Sequence, residues 1–510
     1  MLLTLLIFLP LLGAIALALL PSSDAKLLRT VTLGVTTAVA VLSVSLFTQF
    51  DGAIAAAQFV EHKSWFKLGD IEINYRLGVD GMSILLVALT GILMPFVTLS
   101  SYGHVSERVR EFLIWLLVME TGMMGVFLSL DLVLFYFFWE VSLVPLYFIL
   151  GIWGGERRIY ATIKFFLYTL AGSLVMLVAV IAAIYGSGSA ELGAVTQWAM
   201  AQPLETQGWA FAAFALAFAI KVPLFPFHTW LADAHTQAPT SGSVILAGVL
   251  LKMGTYGLLR FGIGMFPEAA VAAAPLFMGL GAFGIVYGAF LAMAQTDVRR
   301  LIACSSVSHL GFVVLGMFAL TSAGIRGSVL QMVNHGLSTG LLFLLFGAIY
   351  ERRHSRAIDS YGGLAACVPL FAFFWVFAML SSVGLPGLNG FVGEWLILFG
   401  SFEANPWITA VAVTGVIFGA VYLLMVTRKM LFGPVTHEEN RALTDLGGRE
   451  LTILVPLAAI CLWIGVAPAT CIDKTAGTLD ALVDTLDGYR APAELGQATI
   501  LPAEDTESAR

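Results

Sequence analysis

Apolar runs of about 20 residues recur along almost the whole chain, with short polar segments between them. A run of this length crosses the hydrocarbon core of a bilayer as an α-helix. Hydropathy windows of about 19 residues predict an all-α, multi-pass membrane protein with about 14 transmembrane helices, numbered here as spans 1 to 14. They lie near residues 2–20, 29–48, 81–100, 111–129, 131–151, 160–186, 209–227, 242–264, 272–294, 300–320, 327–349, 368–399, 407–430 and 450–470.

Two of these spans are interrupted. Pro223 and Pro226 fall within span 7, and the sequence GLPGLNG occupies residues 384–390 of span 12. Proline cannot donate into the helix ladder and clashes with the preceding turn. We therefore predict that spans 7 and 12 are broken helices, which is a feature of membrane transporters.

Composition agrees with a membrane protein and excludes several other classes. The chain is 59% hydrophobic and 12% charged, against about 45–50% and 25% in soluble domains. It has no basic patch suited to nucleic acid and no nucleotide-binding motif in a strand–turn–helix setting. The spacing of its four cysteines matches no iron–sulfur or zinc pattern. We expect no cofactor or metal site in this chain, no nucleic-acid partner, and contact with the lipid bilayer.

The loops give an orientation. If 14 spans alternate across the membrane, one face carries about twice as many Lys and Arg residues as the other. Cytoplasmic loops are the more basic ones. This predicts that both termini lie on the outer, periplasmic side of a bacterial plasma membrane. The first apolar run has no basic residue before it, which favours a retained helix over a cleaved signal peptide.

Polar positions within the spans recur at a spacing of about 170 residues. Glu140 in span 5 corresponds to His309 in span 10, Lys164 in span 6 to His335 in span 11, and Lys221 to Glu394 in the two broken spans. Spans 4–8 and 9–13 are therefore predicted to be two inverted five-helix repeats. The predicted divisions are 1–110 (spans 1–3), 111–264 (first repeat), 272–430 (second repeat), 431–470 (span 14) and 471–510 (polar tail).

Lysines and acids in the middle of apolar spans are costly, roughly 3 kcal/mol each on insertion scales, and by default indicate an ion or proton pathway. Lys221 and Lys252 lie near span centres, where a lysine can carry a proton reversibly. Glu140 is expected either to gate Lys221 by pairing with it or to form a static ion pair. Lys164 lies near the end of its span, where snorkelling is the stronger hypothesis. Glu120 is expected to pair with Lys164 or with a neighbouring chain.

Histidines complete the set of candidate groups. His309 and His335, among Ser, Asn and Thr residues, are expected to relay protons, with structural hydrogen bonding as the alternative. His228 and His235 follow the break in span 7 and are candidates for proton uptake or connection. Glu394, after the second break, is the candidate terminal proton acceptor or an exit-side group. Together these groups predict a polar axis in the plane of the membrane, running from Glu140 through the lysines and histidines to Glu394.

Four segments carry a family resemblance: FFWEVSLVPLYFILGIWGG, KVPLFPFHTWLADAHTQAPTSGSVILAGVLLKMGTYGLLRF, DVRRLIACSSVSHLGF and LPGLNGFVGEW. They resemble the antiporter-like subunits of respiratory complex I over nearly the whole chain. The acid at position 394 favours one such chain over its two sisters, which usually carry lysine there. Ala232 is a departure, because the family usually has proline at that position.

The resemblance implies a 14-helix subunit that pumps protons while partner subunits move electrons from NADH to quinone. It implies that Glu140 and Lys221 are the paired groups, Lys252 the central lysine and Glu394 the terminal acid. FMN, iron–sulfur clusters and quinone are expected in partner subunits, and sister antiporter-like chains are expected neighbours. Two alternatives stay open: a chain of a multisubunit cation/proton antiporter, and a scaffold that has lost transport.

Overall fold

The computed structural model describes the backbone of residues 1–498 and the side chains of residues 1–490. The first half of the chain forms α1 (Leu2–Leu19), α2 (Ala25–Gln49), β1 (Gln58–Leu68), β2 (Ile71–Val79), α3 (Ile84–His104), α4 (Val109–Leu128), α5 (Leu132–Trp153), α6 (Arg158–Ser187), α7 (Leu192–Met200), α8 (Leu204–Lys221) and α9 (Thr229–Gln237). A long helical segment follows as α10 (Thr240–Ile245), a π-helical stretch (Leu246–Leu250), α11 (Leu251–Gly257) and a second π-helical stretch (Leu258–Ile263).

The second half is also mainly helical. It comprises α12 (Pro267–Met293), α13 (Val298–Phe318), α14 (Ser322–Arg353), α15 (Leu364–Cys367), α16 (Pro369–Val383), α17 (Asn389–Ala404), α18 (Pro406–Leu431), α19 (Glu438–Arg441), α20 (Gly448–Val466), α21 (Ala469–Ile472) and α22 (Ala476–Ala498).

Within the described residues, 12 helices are long and apolar enough to cross a bilayer. They match the predicted spans other than 7 and 12. Span 7 is divided into α8 and α9, and span 12 into α16 and α17, so the predicted breaks are present. The freed carbonyl of Ile220 accepts a hydrogen bond from the Trp230 indole at 2.9 Å. At the second break Gly384 has φ +83°, a conformation that glycine adopts without steric cost.

The segment 49–80, which connects predicted spans 2 and 3, contains β-structure. β1 and β2 form an antiparallel hairpin within it, so the all-α description is wrong for this segment. Ile71, Ile73 and Leu77 of β2 are buried while most of β1 is exposed. This alternation is short and amphipathic, as expected of a half-buried hairpin, and hydropathy windows of helical length do not detect it.

Two further connections are helical. Residues 187–208 contain α7, and the tail predicted to be polar contains α22 in its described part. In α22 the buried residues Leu479, Leu482 and Leu486 recur at helical spacing, which identifies one apolar face. The tail was predicted to contain no further span, and α22 is absent from the 12 candidate spans among the described residues.

Each half of the chain contains an isolated antiparallel β-bridge at a corresponding position. Asp131, before α5, pairs with Glu191, and Asp297, before α13, pairs with Ala357. Both aspartates also cap the helix that follows, since Asp131 accepts from the backbone N–H of Val133 and Leu134 and Asp297 from that of Arg300. The two bridges are about 170 residues apart, the same spacing as the polar positions.

The most buried helices lie at the centre of the molecule. The apolar stretches of 240–263, α13 and α14 are completely buried, whereas only 28–33% of the residues in those of α2, α18 and α20 are buried. The three central segments carry Lys252, His309 and His335. Lys252, His309 and His335 therefore lie on helices whose apolar stretches are enclosed by the rest of the protein.

Candidate functional site

Lys252 lies between the two π-helical stretches and is completely buried. Its ammonium donates to the carbonyl of Ala247, five residues earlier. A π-turn displaces backbone groups from the α-helical ladder and is frequent at functional sites. The same ammonium donates to Nδ1 of His335 at 2.6 Å. Lys252 and His335, which the sequence places in different repeats, are therefore in direct contact.

His335 connects Lys252 to α13. With the lysine as an ammonium, Nδ1 of His335 accepts, and Nε2 then carries the hydrogen towards the Ser306 hydroxyl, which lies 3.1 Å away. The ring centroid of His335 lies 5.6 Å from that of His309. No direct hydrogen bond joins the two rings in the described part of the chain, so Ser306 is the polar group next to the gap.

His309 and Glu394 form a second contact between predicted site residues. Nδ1 of His309 lies 3.1 Å from Oε1 of Glu394. The amide of Gln331 donates to the same carboxylate oxygen at 3.1 Å, and the Tyr422 hydroxyl lies 3.5 Å from Nε2 of His309. Glu394 is thus a buried acid with two polar partners, at the start of the helix that follows the second break.

Asparagines fix this second break against α14. The side-chain amide of Asn334 donates to the carbonyl of Asn389 at 2.7 Å, and that of Asn389 donates to the carbonyl of Asn334 at 3.2 Å. The Ser381 hydroxyl donates to Oδ1 of Asn389 at 2.5 Å. Asn389 therefore ties the end of α16 and the start of α17 to the helix that carries His335.

Lys221 ends α8 at the first break and is 2% exposed. Its ammonium lies over the Trp139 ring, 5.1 Å from the ring centroid. The expected direct pair with Glu140 is not formed, since no ion pair within 4.0 Å joins the two in the described residues. One carboxyl oxygen of Glu140 is buried without a hydrogen-bond partner in the described residues.

Lys221 and Lys252 belong to helices that approach closely. A Cβ at Gly254 would lie 2.9 Å from the backbone nitrogen of Val222 and 3.0 Å from Cβ of Lys221. Only glycine permits this separation without movement of the neighbouring backbone. Gly254 thus holds the break in span 7 beside the segment that carries Lys252.

The predicted pairing of Glu120 with Lys164 is wrong. Lys164 donates to Asp233 at 2.7 Å, and Arg300 donates to the other oxygen of that carboxylate at 3.2 Å. Glu120 is completely buried, which also argues against pairing with a neighbouring chain, and both its carboxyl oxygens are without a partner in the described part. α9 brings Asp233 next to Lys164, although the two residues are far apart in the sequence. The sequence alone therefore does not reveal this contact.

The two histidines after the first break have different surroundings. His228 packs edge-on against Tyr287, with ring centroids 5.1 Å apart. His235 is completely buried and stacked on Phe343, with centroids 4.8 Å apart, and neither ring nitrogen has a partner among the described residues. Neither histidine contacts Lys252, His335, His309 or Glu394 through a hydrogen bond or ion pair in the described residues.

The structure thus brings four predicted groups into two contacts, Lys252–His335 and His309–Glu394. Sequence reasoning did not single out Trp139, Gln331, Tyr422 or the Asn334–Asn389 pair. Gln331 lies one helical turn before His335, a spacing that could have identified it. Tyr422 reaches the site only through packing of α18, and nothing local in the sequence marks it. Within the described residues, no group of three or more His, Cys, Asp or Glu side chains is arranged to hold a metal ion.

Comparisons with known proteins agree with this architecture. The family model described as "NADH:quinone oxidoreductase/Mrp antiporter, TM" matches residues 129–419. Subunit M of NADH-quinone oxidoreductase from Rhodobacter capsulatus is 44% identical over 517 aligned residues, which cover 98% of this chain and 99% of that protein. This chain belongs to the NADH-quinone oxidoreductase subunit M family. The resemblance carried by the four sequence segments is therefore confirmed.

Solved structures show the same fold. A chain of respiratory complex I from Thermus thermophilus is 33% identical and superimposes with a TM-score of 0.85, covering 95% of this chain and all of that one. A chain of the Mrp complex from Dietzia is 20% identical with a TM-score of 0.84, covering 96% of this chain and 98% of that one. The likeness to the Mrp chain extends to the fold alone, so the alternative of a cation/proton antiporter chain is the weaker one. As a member of the subunit M family, this chain is a multi-pass membrane subunit of an NADH-quinone oxidoreductase.

Proposed function

We propose that the chain translocates protons across the membrane along the row Glu140, Lys221, Lys252, His335, His309 and Glu394. Electron transfer from NADH to quinone in partner subunits supplies the energy. The observation that carries the proposal is the 2.6 Å contact of the Lys252 ammonium with His335, in helices whose apolar windows are completely buried. A lysine–histidine pair costs too much at this depth to serve as ordinary packing.

The histidines can pass a proton in one direction through the site. His335 receives a proton from Lys252 on Nδ1 and releases the one on Nε2 towards Ser306. A water molecule or a small ring movement bridges the gap to His309, which exchanges its proton with Glu394 across 3.1 Å. His335 and His309 suit these steps because an imidazole can accept a proton on one ring nitrogen and release one from the other.

Lys221 and Glu140 act as the controlling pair. In the present arrangement the lysine is held by the Trp139 ring, a contact worth about 0.5–2 kcal/mol. Approach of Glu140 stabilises the charged lysine and withdrawal of Glu140 favours loss of its proton. A signal from a partner subunit that moves α5 relative to α8 therefore changes the charge beside Lys252.

The topology follows from the two broken helices. If α8–α9 and α16–α17 each cross the membrane once, the 12 continuous spans become 14 crossings and both termini lie outside. The bridges at Asp131 and Asp297 then lie on opposite faces, which supports inverted repeats over spans 4–8 and 9–13. The basic loops face the cytoplasm of a bacterium. Sister antiporter-like chains are the proposed neighbours.

The test is proton pumping by the assembled complex in reconstituted vesicles. Lys221→Ala is expected to remove most NADH-driven proton pumping while the complex still assembles. Lys429→Ala is the matched control, because that side chain is half exposed and its one ion pair among the described residues is with the exposed Asp359. Normal pumping by assembled Lys221→Ala would contradict the mechanism, and pumping that requires sodium would favour the antiporter alternative.

A further inference from the structure

An apolar groove lies between α8 and α12, on the outside of two membrane-spanning segments. We call it the α8–α12 groove. Its volume is about 560 Å³, within the roughly 300–1,000 Å³ of small-molecule sites. Every residue that lines it is apolar or glycine. In a bilayer such a groove is filled rather than empty, because lining atoms without neighbours lose their dispersion contacts.

Aromatic rings form the floor of the α8–α12 groove. Phe211 of α8 and Phe277 of α12 are 4% and 7% exposed, and their rings meet edge-on with centroids 5.7 Å apart. Behind them, Phe318 of α13 stacks on Phe277 with centroids 4.3 Å apart. The floor is therefore held in place by packing within the protein.

The groove ends at the first break. Phe225 and Phe227 line this end, and the Phe225 ring packs against Phe283 of α12 with centroids 4.7 Å apart. Along α12 the lining extends from Ala269 to Leu280, which is about 16 Å at about 1.5 Å per residue. One leaflet of the hydrocarbon core is about 15 Å thick. The groove therefore matches the length of one acyl chain that ends in the middle of the membrane.

A helix of a neighbouring subunit fits this shape less well than an acyl chain does. An α-helix with its side chains is about 10–12 Å across, and a spanning helix crosses the full core of about 30 Å. The groove is closed half-way by Phe225 and Phe283. A crossing helix would therefore lie over the groove and leave it unfilled, whereas an acyl chain lies inside it.

The open end of the groove carries negative charge. Glu205 and Glu268 are sequence neighbours of the lining residues Leu204 and Ala269. Glu268 accepts a hydrogen bond from the Gln207 amide at 3.3 Å. Among the described residues, neither carboxylate has a cationic partner within 4.0 Å. Two such carboxylates attract an ammonium group and repel an anionic head group.

We propose that the α8–α12 groove binds one acyl chain of a phospholipid with an ammonium head group, such as phosphatidylethanolamine. The lipid belongs to the leaflet opposite the basic loops, with its head group at Glu205 and Glu268. The end of its acyl chain contacts the residues of the first break and supplies packing where span 7 is interrupted. This lipid site goes beyond the proposed function and does not depend on it, because lipid binding requires no proton transfer.

Photo-crosslinking of the assembled complex tests the site. The complex is placed in vesicles of equal parts phosphatidylethanolamine and phosphatidylglycerol, with a trace of phosphatidylethanolamine that carries a diazirine at the end of one acyl chain. Adducts in this chain are located by mass spectrometry. Labelling around Phe225 and Leu280 should exceed that at Ile417, on the exposed face of α18, by about tenfold. With the diazirine beside the ester, the label should move to Leu204 and Gly208. No excess over Ile417 with either probe would overturn the site.

Obstruction of the groove provides a matched variant. An added Cβ at Gly208 meets no atom within 4 Å, so Gly208→Leu extends into the groove without a clash and also favours the helix. It should lower the labelling about tenfold. Gly419→Leu, at an equally open glycine of α18, is the control and should leave the labelling unchanged. Unchanged labelling in assembled Gly208→Leu would overturn the site. If this variant does not assemble, the labelling of the unsubstituted complex decides.

Head-group selection is measured with phosphatidylglycerol that carries the same acyl chain and diazirine. This probe should label the groove about tenfold less than phosphatidylethanolamine does, and Glu268→Gln should narrow the difference. Equal labelling by the two probes in the unsubstituted complex would overturn the assignment of an ammonium lipid. Crosslinks from the groove to a partner subunit in place of lipid adducts would overturn the acyl-chain site and identify a protein occupant.

Discussion

The Lys252 ammonium donates to Nδ1 of His335 across 2.6 Å, although the two residues belong to different halves of the chain. On the ring's other side, Nε2 of His335 contacts the Ser306 hydroxyl. This geometry makes the centre of the molecule a connection between the two halves of the chain. A proton that reaches Lys252 has a partner on which to continue towards α13 and α17.

The contact between Lys252 and His335 should give a measurable interaction energy in a double-mutant cycle. His335→Leu leaves the ammonium without its nitrogen acceptor and Lys252→Met leaves the ring without its donor, so each should destabilise the complex by about 1–3 kcal/mol. The double variant leaves neither group unpaired. Thermal unfolding of the purified complex should therefore show an interaction energy of about 0.5–3 kcal/mol. Strictly additive effects would show that the two side chains do not interact.

Glu394→Gln tests the end of the row. The amide keeps a carbonyl oxygen for the bond from Gln331, so assembly and thermal stability should change little. It cannot bind and release a proton, so pumping should fall by about two orders of magnitude. Tyr422→Phe is the control, because its 3.5 Å contact with His309 is at the limit of a hydrogen bond. An equal loss in the Tyr422 variant would mean that packing, not proton transfer, is being measured.

The cluster around Asp233 is expected to stabilise helix packing. Asp233→Asn removes the negative charge between Lys164 and Arg300 and should cost about 1–2 kcal/mol in thermal unfolding, between the values for exposed and buried pairs. Lys164→Ala should keep at least about half of the pumping rate, because its ammonium lies in this cluster rather than in the row. Loss of pumping in an assembled, stable Lys164→Ala complex would show that Lys164 belongs to the proton pathway.

Asp131, at the end of the segment before α5, gives a pH-dependent prediction. Burial raises its pKa to about 6, against the hydrogen bonds from the backbone N–H groups of Asn74, Leu134 and Val133. The folded state therefore holds this proton more tightly than the unfolded chain, whose pKa is about 4. The contribution of protonated Asp131 to the free energy of unfolding is fully present below pH 4. It is lost as the pH rises through 6, by up to about 3 kcal/mol.

Amide hydrogen exchange at Val133 and Leu134, corrected for intrinsic rates, measures this directly. Protection should weaken between pH 4.5 and 7, a range set by the folded pKa of about 6. Asp131→Asn should make the protection independent of pH over the same range. A pH dependence that persists in the Asn variant would assign the effect to another group.

Much of the fold could be predicted because a membrane span is determined by a short stretch of consecutive residues. The run that became α13 and the proline-marked break before α9 are both evident in a window of about 20 residues. The hairpin of β1 and β2 was missed because its stability depends on pairing between residues such as Lys63 and Tyr75. The apolar face of α22 was overlooked because Asp480, Asp484 and Thr485 interrupt the apolar residues, so the segment does not form a continuous apolar run.

The sequence identified most residues of the candidate site, but it predicted few of the contacts between them. A lysine in an apolar run is informative by itself, so Lys221 and Lys252 could be identified from sequence. The partner of a buried charge depends on how helices pack. Lys164 therefore contacts Asp233 rather than Glu120, and Lys221 lies on Trp139 rather than against Glu140.

The central claim is tested most directly by NADH-driven proton pumping in vesicles that contain the complex with Lys252→Met, whose side chain is similar in length but carries no proton. Quantification of the assembled complex accompanies each preparation. The proposed row predicts that the variant assembles and loses nearly all proton pumping. An assembled Lys252→Met complex that pumps at the unsubstituted rate would contradict it.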